Sequence, residues 1–232
     1  LFVTHAEEND THVNITLSDQ QQIRASLLVQ AEGGVFGTQV SKELHRDYQQ
    51  IAIVAGVCSD GVVAGRAFER FTEEGPLALL PDQDGYSLVW CVRPEHGEAL
   101  LAMTETDFLQ ALQKAFGHRV GTFTQLGQRH GYPLGLNAQQ TNSPRQVAIG
   151  NAAQTLHPVA GQGLNLGLRD VRDLVRATTS APDPGSDAVL SAYQRFRHRD
   201  IASRTRAVDT LNRSLLSPLL PVDFARGLGL LA

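Results

Sequence analysis

The spacing of apolar and polar residues predicts a β-hairpin near the start of the chain. Residues 13–17 alternate apolar and polar side chains, which is the two-residue period of a half-buried strand. Turn-forming residues occupy positions 18–20, and a second strand-like run covers 23–29. Gly33 and Gly34 follow this second run, so we expect the strand to end in a loop.

The middle of the chain, from 39 to 134, has a different pattern. Short apolar runs separated by glycine, aspartate and proline are typical of a mainly antiparallel sheet. The predicted strands are 51–57, 65–71, 76–80, 86–92, 123–126 and 132–134. Residues 106–116 instead carry apolar side chains at helical spacing, with Thr104 or Thr106 placed to cap the helix.

A third pattern, from 146 to 170, combines a strand, a glycine-bearing loop and a helix. Residues 146–150 form a short apolar run closed by glycine, and the loop contains Pro158, Gly161 and Gly163. Apolar residues then recur at helical spacing at Leu164, Leu168, Val171 and Val175. The N–H groups and positive dipole end of a helix N-terminus suit an anion or an electron-rich oxygen. The alternative is a tight turn that only packs the helix on its strand.

The C-terminal part, from 181 to 232, predicts helices. Five arginines lie among the apolar residues of the first one, namely Arg195, Arg197, Arg199, Arg204 and Arg206. They could meet an acidic partner or membrane headgroups, but we favour a solvated or salt-bridged helix face. The leucine-rich stretch 211–220 and the apolar end could face lipid or pack on the protein's own core.

Composition narrows the classes of function. The chain has 232 residues, 42% of them hydrophobic, which is enough for one large or two small domains. A net charge of −4 argues against nucleic acid as a partner. Cys58 and Cys91 form no CxxC pair and are interpreted as small buried side chains in a reduced compartment. No spanning apolar run and no signal peptide is indicated, so we expect a cytoplasmic protein.

The third pattern carries a family resemblance. Gly150-Asn151-Ala152-Ala153, Pro158, Gly161-Gln162-Gly163-Leu164-Asn165-Leu166-Gly167 and Asp170 together resemble the second flavin motif of the FAD-dependent class A flavoprotein aromatic hydroxylases. Asn151 stands where that family usually has Asp, and Gln154 where it often has His. This variant looks most like the ubiquinone-biosynthesis hydroxylases of the family.

The resemblance implies a set of cofactor-binding residues. They are Asn151, Pro158, Gly161, Gln162, Gly163, Leu164 and Asn165. Asn151 would bond a ribityl hydroxyl, since an amide both accepts and donates. Pro158 would lie beside the isoalloxazine ring. His157 is either a proton donor near the ring or an exposed loop residue, and no residue is assigned as catalytic. No metal motif such as H-E-x-x-H occurs.

The stretch Leu27–Gly34 resembles a second element of the family, the LLVGADG loop near the flavin diphosphate, with Glu32 replacing Asp. A plain glycine turn is the alternative. The family's βαβ unit with G-x-G-x-x-G is absent, and the chain begins without methionine in strand-like sequence. We therefore expect this chain by itself to bind FAD weakly or not at all. We also expect association through an exposed sheet edge.

The predicted fold class is α/β with α+β character. It consists of a partial FAD-binding Rossmann-like domain without its first βαβ unit and a mainly antiparallel substrate-binding sheet with helices. The predicted parts are 1–38 and 135–180 for the FAD-binding domain, 39–134 for the substrate domain and 181–232 for C-terminal helices. Trp90 and Tyr132, with Phe68 and Phe71, could line a substrate pocket, although core positions are the simpler interpretation.

The resemblance implies an FAD monooxygenase that hydroxylates a polyprenylated phenol in ubiquinone biosynthesis with NAD(P)H and O2. Implied partners are the membrane-embedded substrate, other ubiquinone-biosynthesis proteins and the inner face of the membrane, through a peripheral contact. The alternative is a non-catalytic module that binds a hydrophobic quinone precursor or a partner hydroxylase.

Overall fold

The computed structural model describes residues 1–34, 42, 44–138, 143–158, 161–197 and 210. They divide into two compact units. The first unit holds the described residues up to 46 and those from 136 to 197, and the second holds 47–135 and residue 210. In chain order the elements are β1 (Val3–Glu8), β2 (Val13–Leu17), β3 (Gln22–Ala25), β4 (Leu28–Gln30), β5 (Leu44–Ser59), β6 (Phe68–Phe71), β7 (Pro76–Asp82), β8 (Gly85–Val92), α1 (Pro94–Ala102), α2 (Glu105–Phe116), β9 (Phe123–Leu126), β10 (His130–Ala138), β11 (Gln146–Ala148), a short 3₁₀ turn (Gly150–Ala152), α3 (Gln162–Thr178) and α4 (helical over 187–197).

A twisted antiparallel sheet forms the second unit, in the order β10-β5-β8-β7-β6 with β9 also paired to β5. Its core face is built by cross-strand neighbours: Ile53 lies opposite Trp90, and Leu79 lies opposite Leu88. All four side chains are buried, and such pairs hold the register because a one-residue slip would expose them. The predicted mainly antiparallel sheet is confirmed.

Two helices cover the buried face of this sheet. In α2, Phe108, Leu112 and Phe116 are buried, and the Thr104 side chain caps the helix by accepting from the Asp107 N–H. Of the two predicted caps, Thr104 is therefore the correct one. Helix α1, which the sequence pattern did not predict, has Pro94 in its first turn, a position that proline favours.

The first unit contains a three-stranded antiparallel sheet of β1, β2 and β3. The predicted hairpin is confirmed as the pairing of β2 with β3, in which Ile15 faces Ile23. The second predicted run, however, is two strands. After Ser26 the chain leaves this sheet, and β4 pairs in parallel with β11. The buried Arg145 guanidinium stabilises the break by donating to the Ser26 carbonyl at 3.0 Å.

Helix α3 begins at Gln162, two residues before the apolar stripe that predicted it. That stripe does not face the core: Leu164, Leu168, Val171 and Val175 are exposed. The buried side of α3 instead carries Leu166, Asp170, Asp173 and Leu174. Leu174 packs with Val147 of β11 and with Leu190 and Tyr193 of α4.

Among the described residues, no helix has the length and apolar content that crossing a bilayer requires. Three of the five arginines, Arg199, Arg204 and Arg206, and all of the leucine-rich stretch 211–220 lie outside the described residues.

Candidate functional site

Two loops with motif residues leave the same edge of the first unit's parallel strand pair. Leu28, Val29 and Gln30 of β4 lie opposite Gln146, Val147 and Ala148 of β11. The Ile149 N–H extends the ladder by donating to the Gln30 carbonyl at 3.0 Å. The loop with Gly33 and the loop with Asn151 therefore start side by side, at the carboxyl ends of parallel strands. Open α/β sheets bind ligands at such edges.

Gly150 and Gly161 give the second loop its shape. Their φ angles are 58° and 57°, in the left-handed region that a side chain disfavours. Among the described residues, a Cβ built on either glycine would have no atom within 4 Å beyond its own neighbours. Backbone conformation rather than crowding therefore requires glycine here.

The N-terminus of α3 is left open by its sequence. Gly161 is the N-cap, no side chain caps the helix, and the first turn has no acidic residue among the described positions. Gly163, Leu164 and Asn165 of this turn are exposed. The first N–H groups of a helix have no partner within the helix. This end of α3 thus offers N–H donors and a positive dipole end to an electron-rich ligand.

The loop between the turn and α3 contains exposed and buried motif residues. Asn151 and Pro158 are exposed. Gln154 and His157 are buried, with only 1% of His157 exposed. Burial lowers the pKa of the His157 imidazole to about 4, because it disfavours the charged form. The interpretation of His157 as an exposed loop residue is therefore wrong, and the ring is neutral near pH 7.

Asp170, the last residue of the motif, lies beneath this loop. Its carboxylate is 2% exposed and accepts a hydrogen bond from the Gly150 N–H at 2.9 Å. Arg197 of α4 donates to both carboxylate oxygens, from Nε at 2.7 Å and from Nη2 at 3.1 Å. Sequence reasoning included Asp170 in the motif but missed Arg197, whose place among several arginines gave no distinguishing signal.

The residues predicted to bind substrate belong to the second unit. Trp90 is a core residue, in edge contact with Phe108 at 6.0 Å between ring centroids. Tyr132 is 39% exposed, and its ring centroid lies 6.5 Å from that of His130. Phe68 borders a cleft of about 260 Å³ together with Phe116 and Arg119. The substrate assignment of Trp90 and Tyr132 stays a prediction.

Both cysteines are free. Cys91 is buried as expected, and burial with the nearby Glu69 charge raises the pKa of its thiol to about 12. Cys58 is only half-buried. Among the described residues, no group of three or more His, Cys, Asp or Glu side chains is arranged to hold a metal ion.

Comparison with known proteins identifies relatives of this chain. A model of the family described as FAD binding domain matches residues 2–208. The ubiquinone hydroxylase UbiL of Rhodospirillum rubrum is 37% identical over 227 residues, which cover 94% of this chain and 53% of that protein. The mitochondrial ubiquinone biosynthesis monooxygenase COQ6 of Mus musculus is 31% identical over 263 residues, with coverage of 95% and 55%. The chain thus spans about half of the length of these curated relatives.

Solved structures agree on the fold. A variant of HpxO from Klebsiella pneumoniae, complexed with FAD, superposes with a TM-score of 0.72 at 17% identity, covering 96% of this chain and 61% of that chain. The predicted fold class and the resemblance to flavin hydroxylases are confirmed.

Proposed function

This chain belongs to the FAD binding domain family, and from that premise we propose that it forms the ring side of the FAD site in a monooxygenase. The enzyme would hydroxylate a polyprenylated phenol in ubiquinone biosynthesis. One observation carries the proposal: the parallel pairing of β4 with β11 starts both motif loops at one edge. The names of the relatives, a ubiquinone hydroxylase and a ubiquinone biosynthesis monooxygenase, support the reaction class.

The described residues fit a flavin. Glycine at 150 and 161 leaves no side chain between the backbone and a ring that approaches it, and the uncapped end of α3 provides N–H donors. The residues that would hold the cofactor are Asn151, Pro158, Gly161, Gln162, Gly163, Leu164 and Asn165. Bound FAD supplies the activation of O2 and the transfer of the hydroxyl group.

The protein's contribution is electrostatic and positional. The positive end of the α3 dipole favours negative charge on the pyrimidine edge of a reduced flavin. The Asn151 amide donates to or accepts from a ribityl hydroxyl without adding charge. Neutral His157 adds no positive charge near pH 7. The N-terminal end of α3 would therefore stabilise the reduced cofactor.

The finer parts of the proposal concern reductant, substrate and location. NAD(P)H would reduce the flavin, and Tyr132 would contact the substrate phenol. A polyprenyl chain partitions into the bilayer, so the enzyme would work in the cytoplasm with a peripheral contact at the inner face of the membrane. Other ubiquinone-biosynthesis proteins are proposed partners.

A visible absorption spectrum with and without added FAD tests the cofactor site. It should be recorded for the chain and for the complete gene product that carries it. In the complete product, Asn151→Asp should still bind flavin, whereas Asn151→Leu should raise the FAD dissociation constant at least tenfold. Asn14→Leu, the same change at an exposed strand position, should leave flavin binding unchanged. If the complete product holds no flavin, the proposal fails. The alternative, a non-catalytic binding module, would then be favoured, and it requires a colourless protein that binds an apolar phenol.

A further inference from the structure

Asp170 joins three segments of the first unit. It lies on α3, its carboxylate accepts from Gly150 in the 3₁₀ turn, and it pairs with Arg197 on α4. The Arg197 side chain is itself only 18% exposed. The turn, α3 and α4 therefore meet at one buried carboxylate.

Burial of the Asp170 carboxylate depends on its pairing with Arg197. A carboxylate buried without a cation is costly and tends to take up a proton. Arg197 offsets that cost with two hydrogen bonds in a bidentate arrangement, at 2.7 and 3.1 Å. The same carboxylate accepts from the Gly150 N–H at 2.9 Å, so the arginine pair and the turn meet at one side chain.

Gly150 in turn fixes the backbone around Asn151. Its carbonyl accepts from the N–H groups of Ala153 and Gln154, both at 3.0 Å. Its own N–H is directed away from this turn, to Asp170. The carbonyl bonds close the turn, and the N–H bond attaches the closed turn to α3. Asn151 is the exposed residue that this turn presents.

We propose that Asp170 and Arg197 are positioning residues that hold the Asn151 turn in the geometry needed for flavin binding. Neither side chain touches the cofactor. Arg197 acts through Asp170, and Asp170 acts through the Gly150 N–H. The role in flavin binding rests on the proposed cofactor site, whereas the effect on the turn does not.

The same helix provides a matched control. Asp173 is also buried, at 6% exposure, and is also paired with an arginine, since Arg172 Nε donates to it at 2.8 Å. No hydrogen bond from Asp173 to the 150–154 turn is found among the described residues. Asp173→Asn therefore removes a buried charge from α3 without releasing the turn.

Hydrogen exchange of the chain without flavin is the first measurement. The peptide covering 146–156 should exchange at least tenfold faster in Asp170→Asn and Arg197→Gln than in the wild type. Arg197→Lys keeps the charge but loses the bidentate geometry, so its exchange should be intermediate. Asp173→Asn should leave exchange in this peptide unchanged, even where it lowers the unfolding midpoint. Equal acceleration in Asp170→Asn and Asp173→Asn, or none in Asp170→Asn, would overturn the proposal.

FAD titration of the same variants, made in the complete gene product, is the second measurement. The dissociation constant should rise at least tenfold for Asp170→Asn and Arg197→Gln, less for Arg197→Lys, and not for Asp173→Asn. Unchanged affinity in Asp170→Asn despite faster exchange would overturn the link to flavin. Absence of flavin in the wild type would refute the proposed function instead, and exchange would still decide whether the pair holds the turn.

Discussion

Gly161→Ala tests whether the backbone before α3 contacts a ligand. Gly161 has a φ of 57° and is the N-cap of α3. An added methyl group meets no atom of the described residues within 4 Å, so the substitution introduces backbone strain without a clash among them. The chain can relieve the strain by rotating Gly161 out of the left-handed region, which would turn the first N–H groups of α3 away from their present direction.

The size of the effect follows from the backbone. Holding alanine in the left-handed region costs about 1–2 kcal/mol. If flavin binding requires the observed conformation, this cost appears in the affinity and raises the FAD dissociation constant by roughly 5- to 30-fold. Gly65 of the second unit is a matched control, because it has a φ of 68° and a methyl group added there would also meet no atom within 4 Å. Gly65→Ala should cost similar stability and leave FAD affinity unchanged.

The assay is a titration of the complete gene product with FAD, followed by quenching of flavin fluorescence, alongside urea unfolding of both variants. Similar unfolding midpoints with a selective loss of affinity in Gly161→Ala would support the assigned site. Wild-type affinity in Gly161→Ala, or an equal loss in both variants, would refute the assignment of Gly161 to the cofactor site.

Three further predictions concern stability and reactivity. The pKa of His157 is about 4 in the folded protein against 6.5 in the unfolded chain, so the unfolded state binds more protons between these pH values. The free energy of unfolding should therefore fall by about 3 kcal/mol as the pH falls from 6.5 to 4. In His157→Asn, the urea unfolding midpoint measured at a series of pH values should lack this decrease. Cys91, whose thiol pKa is about 12, should resist iodoacetamide at pH 8 until the protein unfolds, as mass spectrometry of the alkylated protein would reveal. Gly85→Ala places a Cβ 2.5 Å from the Val57 carbonyl oxygen, so it should lower the free energy of unfolding in urea by about 1–3 kcal/mol. Gly56→Ala is the control: its Cβ would have no atom of the described residues within 4 Å, so the free energy of unfolding should hardly change.

Much of the second unit could be predicted because its strands are apolar runs separated by glycine, aspartate and proline. Residues 86–92 were predicted as a strand, and β8 differs only by starting at Gly85. Helix α1 was missed because nine residues with only a few apolar positions give a weak periodic signal. The division of 23–29 into β3 and β4 was also missed, since the break depends on Arg145, more than a hundred positions away in the chain.

The candidate site was accessible to sequence reasoning where it depends on backbone chemistry. Gly150, which closes the apolar run, and Gly161 in the loop were both identified from the sequence, and in the structure both have positive φ. The environment of His157 was not accessible, because neighbours from elsewhere in the fold bury it. Arg197 was likewise hidden, since it acts through a partner 27 positions away.

Helix α3 shows why hydrophobic spacing alone does not reveal every buried side chain of a helix. Its most regular apolar stripe, which includes Leu164 and Leu168, is exposed. The buried side carries Asp170 and Asp173, which a hydrophobicity pattern assigns to solvent. These carboxylates are tolerated inside because arginines pair with them. Asp170 belongs to the sequence motif, and its carboxylate accepts from the Gly150 N–H of the loop before α3. The side of α3 that meets this loop is therefore identified by the chemistry of its polar residues.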